Sequence, residues 1–416
     1  MHYSLTTLDN GLRVITQAMA SARSTSIGVW VDAGSRDEVG AEHGASHFLE
    51  HLLFKGSERM SARHISEALD AVGAQHNAFT SKEYTCYWTR VRSADTPLAV
   101  DILSEMIQFP AFRPSEIDSE RHVVLEEINM NDDDPSDVAH EQFVNAMWVD
   151  HPIKPPILGT RKSITAMTRD TIHDYWAHRY TPHSVVVSAA GRLDHDDFVA
   201  LIEKHFGKWQ GDAPSRELRT LKYRSGVEVV RRDTEQAHLV LGMPGYVRDD
   251  ERRYPHLVVD HVLGGGMSSR LFEEIREQRG LAYSVHSFRM PFVDTGASAI
   301  YVGTTPSQAP DVLKLIRAEL AKIVESGITT AEMERAKGNV KGSLALSMED
   351  VTSTMTRIGR SELIGIEHSS IDEVVARVEA VTPAEIAEVA SDVYAGPFVL
   401  GAVGPFDASD LEEFVS

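Results

Sequence analysis

The chain has 416 residues, 42% of them hydrophobic and 25% charged, the make-up of a globular protein long enough for two cores. Its formal net charge of −21 argues against a nucleic-acid partner. No run approaches about eighteen uninterrupted apolar residues, so no membrane span is expected.

From the N-terminus, "MHYSLTTLDNGLRVITQ" runs straight into a strand-turn-strand pattern around Asp9-Asn10-Gly11, with no basic or Arg-rich leader pattern. The runs "LRVITQ", "SIGVWVDAGS" and "YTCYWTRV" predict strands. The runs "ARHISEALDAVGA", "PLAVDILSEMIQ" and "PSEIDSERHVVLEEINM" predict helices. Cys86, the single cysteine, excludes an intrachain disulfide framework and reads as a small core residue of its strand. It fits a reducing compartment, and a cytoplasmic location is expected. "HSVVVSAAG" predicts a further strand before a polar, Gly- and Pro-punctuated stretch.

The second half repeats the first. "AHLVLGMPGYVRDDE" answers "TSIGVWVDAGSRDEV", and "LVVDHVLGGG" answers "HFLEHLLFKG" at an offset of 210 residues. "TTAEMERAKGNVKGSL" answers "RPSEIDSERHVVLEEI", and "FVLGAVGPF" answers "SVVVSAAGRL". The expectation is an α+β chain of two homologous domains, 1–210 and 227–416, joined by a linker at 211–226.

Within "GASHFLEHLLFKG", His47, Glu50 and His51 fall in one sector of about 100° on a helical wheel, opposite Phe48, Leu49, Leu52 and Leu53. Two imidazoles four apart on one helix face form the usual helical zinc half-site, and Glu50 would stand beside the ion. The order H-x-x-E-H inverts the commoner H-E-x-x-H and belongs to known zinc peptidase signatures. Copy two has Leu257 where copy one has His47, and Lys341 where it has Glu127. The fold therefore does not need this polar seam, which points to chemistry. A catalytic zinc needs a third protein ligand, and the helix "EIDSERHVVLEEINM" offers Glu116, Glu120, Glu126 and Glu127. Glu120 and Glu127, two turns apart, share a face, whereas Glu126 is rotated about 100° away. One carboxylate of that face suits the metal and the other suits support of a ligand histidine. His43, His64, His76 and His122 lack a face shared with the pair.

These residues resemble the inverted-motif zinc metallopeptidases of the pitrilysin, insulin-degrading enzyme and mitochondrial processing peptidase type, in particular short two-domain bacterial members. The resemblance spans essentially the whole chain. It implies His47, His51 and Glu127 as zinc ligands, Glu127 lying 76 residues after His51, with Glu120 as the supporting acid and Glu50 as the catalytic base. "HNAFTSKEYT" resembles the family's substrate strand, implying that Asn77, Ala78 and Phe79 pair with an extended peptide. "REQRGLAY" resembles the Arg/Tyr pair the family brings to substrate from a far lobe, implying that Arg276 grips a carbonyl and Tyr283 donates to the oxyanion. Gly264 to Gly266 lack the context of a phosphate cradle and read as a flexible turn.

By this resemblance each domain is a mainly antiparallel sheet flanked by helices, the chain is half of a clamshell, and two copies complete each other's sites as a homodimer. The implied activity is that of a Zn²⁺-dependent endopeptidase acting on peptides or unfolded segments. One rival is a non-catalytic scaffold or recognition subunit, disfavoured by the intact His47, Glu50, His51 and Glu127. Another is a binding module with structural zinc, disfavoured because such sites are usually four-coordinate and rich in cysteine.

Overall fold

The computed structural model describes residues 3–221, 223 and 225–416 and contains two sheets of mainly antiparallel strands flanked by helices. The first sheet is built from β1 (Ser4–Thr7), β2 (Arg13–Ala18), β3 (Ser24–Val31), β4 (Gln75–Thr80), β5 (Thr85–Arg92) and β6 (Val185–Gly191). Its order is β1-β2-β6-β3-β5-β4, with β2 and β6 parallel. The second is built from β7 (Gly226–Arg231), β8 (Ala237–Pro244), β9 (Ala282–Pro291), β10 (Gly296–Thr304) and β11 (Val399–Gly404). Its order is β7-β11-β8-β10-β9, with β7 and β11 parallel. Apart from the additional β1, the two orders coincide strand for strand, which is the internal repeat expressed as topology.

The expected domain boundaries need correction, because the compact units are not consecutive in sequence. One comprises 1–128, 155–217 and 345–370; the other comprises 129–154, 218–344 and 371–416. Each half of the chain gives up one helix to the sheet of the other. The physical reason is that both faces of each sheet are apolar and must be covered. In the first unit, Ile15, Trp30, Cys86 and Val186 form a buried cluster with Met355, Ile358 and Leu363 of the helix Val351–Leu363. Gly359 makes that approach possible, since a Cβ there would lie 2.3 Å from Trp30 Nε1 and 2.4 Å from Ser188 Oγ. In the second unit, Phe143 and Met147 of the helix Pro135–Met147, with Trp148 just after it, cluster with Val240, Ala299 and Val403.

The expected linker is also more anchored than its composition suggests. Residues up to Glu217 belong to the first unit. Arg216 binds both oxygens of Asp37 at 2.7 and 2.8 Å, pairs with Asp32 at 2.8 Å and donates to the Glu83 carbonyl at 2.6 Å. Of the other cations of this stretch, Arg219 donates to the Asp150 carbonyl at 3.2 Å, and Lys222 and Arg224 lie outside the described residues. Among the described residues no helix is long and apolar enough to cross a membrane.

Candidate metal centre

The helix Ala45–Leu53 presents the seam foreseen from its sequence. It buries Phe48, Leu49, Leu52 and Leu53 and leaves His47, Glu50 and His51 half-buried along the other side. Its start is fixed by Gly44, whose φ of +92° suits only a residue without Cβ, and by Glu38. The Glu38 carboxyl accepts the amides of Gly44 at 2.7 Å and Ser46 at 2.8 Å, satisfying donors that a helix leaves open at its first turn. Burial pushes Glu38 up to about 8, against the lowering effect of these two amides.

The helix Pro114–Asp133 supplies the acids. Ile117, Glu120, Val124 and Ile128 form its buried stripe, and Glu127 is half-buried on the same side, while Glu126 is exposed. Oε2 of Glu127 lies 3.3 Å from Nε2 of His47 and 3.4 Å from Nε2 of His51, and the two Nε2 atoms are 3.2 Å apart. Donor atoms about 2.0–2.1 Å from a tetrahedral zinc are spaced about 3.3–3.4 Å from one another, so this triangle fits such an ion. Among the described residues these three are the only group of its kind. His43, His64, His76 and His122 are not part of it.

Glu120 fixes the face that His51 turns to this triangle. Its Oε1 is 2.9 Å from Nδ1 of His51, which leaves Nε2 to point at the other donors. Its Oε2 is 2.7 Å from Nζ of Lys55. Burial raises the Glu120 pKa, but the hydrogen bonds from His51 and Lys55 outweigh it and hold the carboxyl below its ordinary value. Burial also lowers His51, and again the Glu120 hydrogen bond together with the charges of Glu127, Glu120 and Glu50 reverses the outcome and raises it. His47 is driven down to about 4 by burial and by the neighbouring His51, so its imidazole is neutral at pH near 7, the form a metal requires. Nδ1 of His47 is buried without a hydrogen-bond partner.

Glu50 stands beside the triangle and outside it. Its pKa is raised, chiefly by burial and further by Glu127, in the direction that makes a carboxylate a better base. The hydroxyl of Thr80 donates to its Oε2 at 2.6 Å. Thr80 ends β4, which pairs only with β5 and so forms an edge of the first sheet. On that strand Asn77 and Phe79 are exposed and Ala78 is buried. Sequence reasoning missed both Thr80 and Lys55. Lys55 lies four residues after His51, just past the end of the helix, a spacing that was a usable signal; Thr80 is 30 residues from Glu50 and only the fold joins them.

Arg276 and Tyr283 also meet, within the second unit. The Arg276 guanidinium lies 4.7 Å from the Phe272 ring centre and 4.9 Å from that of Tyr283, and donates to the Tyr283 carbonyl at 3.0 Å. The Tyr283 side chain is largely exposed, at 79%. The glycines before them close the helix Arg253–Gly264 and lead to a π-helical turn, Phe272–Glu277.

Residues 13–161 match the family model described as insulinase (peptidase family M16), and residues 166–340 match the one described as peptidase M16 inactive domain. The chain is 45% identical to an uncharacterized zinc protease of Streptomyces coelicolor, over 99% of this chain and 92% of that one. It is 39% identical to an uncharacterized zinc protease of Bacillus subtilis, over 96% and 97% of the two chains. The chain belongs to peptidase family M16. Its fold is shared with the crystal structure of a protease from Helicobacter pylori, with a TM-score of 0.91 at 22% identity over 97% and 99% of the two chains. It is shared equally with a peptidase M16 inactive domain from Pseudomonas fluorescens, at a TM-score of 0.92 and 20% identity over 98% and 99%.

Proposed function

We propose that the chain is a zinc-dependent endopeptidase that takes an extended peptide or unfolded segment as an added strand on β4 and hydrolyses it beside Glu50. The observation that carries this reading is the donor triangle of His47, His51 and Glu127 with a separate carboxylate, Glu50, tied to an edge strand. When bound, one zinc ion per chain supplies positive charge that acidifies the attacking water and polarises the scissile carbonyl.

The chain's own groups supply the rest. Glu50 takes a proton from water as the water oxygen bonds to the carbonyl carbon, and passes that proton to the amine nitrogen as the C–N bond breaks. Glu120 keeps His51 turned toward the metal position. The open side of β4 offers its backbone groups to the substrate backbone, with Asn77 and Phe79 exposed along it. Tyr283 donates to the oxyanion and Arg276 holds a substrate carbonyl, both contributed by a second copy in a homodimer.

The test is metal analysis together with cleavage of a fluorogenic peptide library, wild type against Glu50→Gln. Stoichiometric zinc in both proteins and turnover in the wild type alone is the expected result. Near-wild-type turnover by Glu50→Gln would refute the mechanism.

A further inference from the structure

The edge that would take the substrate and the base that would act on it meet at a single side chain. In β4 alternate residues face opposite ways, so Thr80 points to the same side as the buried Ala78, toward the helix that carries Glu50. The hydroxyl of Thr80 donates to Glu50 Oε2 at 2.6 Å, and its backbone N–H also interacts with that carboxyl. Its opposite neighbour in the ladder, Thr85, faces the same way, but its hydroxyl is engaged with the Ala33 carbonyl at 2.9 Å. The Glu50 carboxylate is thus tied to the last residue of the edge strand.

We infer that Thr80 is a positioning residue that couples pairing of a substrate on β4 to the orientation of the Glu50 carboxylate. This deepens the endopeptidase reading and rests on it. A glutamate has three rotatable side-chain bonds, and a base that must meet a water and then an amine gains from having one oxygen held. The hydroxyl of Thr80 holds Oε2 and leaves Oε1 to accept and return the proton. A peptide added to the edge bears on β4, and its effect reaches the base through Thr80, whose hydroxyl and backbone N–H both contact the Glu50 carboxyl. If Thr80 were only a good strand former satisfying a half-buried acid, its loss would change stability and leave turnover at saturating substrate untouched.

The experiment compares Thr80→Val, which keeps the branched shape suited to a strand, Thr80→Ala, and Thr80→Ser, which keeps the hydroxyl. All are made in the full chain and assayed with a fluorogenic peptide, alongside metal analysis. For Thr80→Val and Thr80→Ala, kcat is expected to fall roughly 10- to 100-fold with KM within about twofold of wild type. Zinc content should match the wild type, and Thr80→Ser should recover most of the loss. A second readout needs no turnover. A peptide binding to Glu50→Gln protein, followed by fluorescence anisotropy, should bind equally well when Thr80→Val is added.

Unchanged kcat in both hydroxyl-free variants would overturn the inference. So would raised KM at unchanged kcat, or Thr80→Ser as impaired as Thr80→Val. Glu50→Gln, run in parallel, separates the two levels. An active Glu50→Gln protein sinks the endopeptidase mechanism, whereas an inactive one beside fully active Thr80→Val sinks the coupling alone.

Discussion

Nζ of Lys55 stands 2.7 Å from one oxygen of Glu120, and the other oxygen of that carboxylate is 2.9 Å from Nδ1 of His51. A cation, an anion and the imidazole of a candidate metal ligand are therefore linked in series. Removing Glu120's negative charge in Glu120→Gln should weaken zinc binding or activity roughly 10- to 100-fold, the usual cost of disturbing the group that orients a ligand. Lys55→Met should give a smaller loss in the same direction, because Glu120 remains but is less firmly held. Competition against a chromophoric chelator measures both. Wild-type affinity in Lys55→Met would show that the ammonium merely screens the acid.

The two neighbouring acids of the second helix should behave oppositely. Glu127 places its carboxylate against both imidazoles, whereas Glu126 is exposed. Glu127→Gln should abolish stoichiometric zinc after dialysis, and Glu126→Gln should retain it with turnover within about twofold of wild type, as surface changes usually do. The reverse outcome would refute the ligand set and the helical phase together.

Glu38 predicts a pH dependence of stability with a definite sign. Its carboxyl is pushed up to about 8 in the folded chain from an ordinary value of 4.5, so folding favours the protonated form. Its contribution is complete at pH below about 4.5 and is lost as the pH rises through about 8. One such group tilts stability downward with rising pH by at most about 1.4 kcal/mol per pH unit. Melting temperatures of wild type and Glu38→Gln across that window should show a steeper alkaline decline in the wild type. Parallel curves would mean that Glu38 is ionised throughout, its charge carried by the amides of Gly44 and Ser46.

The proposed homodimer predicts complementation. Glu50→Gln and Tyr283→Phe proteins should each be inactive, or nearly so. Mixed and allowed to exchange subunits, they should regain part of the activity, because some heterodimers assemble one site from two intact halves. Demonstrated heterodimers that stay inactive would rule out a site shared between chains.

The helix of His47, Glu50 and His51 was legible because its polar seam and apolar face obey one helical period. The same period separated Glu120 and Glu127 from Glu126. The internal repeat was legible, since Asp260-His261 answers Glu50-His51 and "FVLGAVGPF" answers "SVVVSAAGRL", but the order of the strands within each sheet was not. Thr80 was not legible, since its hydroxyl is one of many in a strand and its partner is set by packing. Neither was the exchange of helices between units. The largely apolar runs of β3 and β6 announce that both sheet faces are covered, but nothing local says that Met355 and Ile358 cover one of them. Arg216 was hidden similarly, as a charged residue in a polar stretch whose partners Asp32 and Asp37 lie far back in the chain.

The donation of the helix Val351–Leu363 to the first sheet has a consequence for biosynthesis. A ribosome making this protein releases every residue of the candidate metal site by Glu127, yet the cover for Trp30 and Val186 is encoded more than two hundred residues later. Until then the sheet bearing the site exposes an apolar face, and the nascent chain cannot close its first folding unit. Completion of the fold around the candidate site is thereby deferred until nearly the whole polypeptide exists, a timing that a simple tandem of self-sufficient domains would not impose.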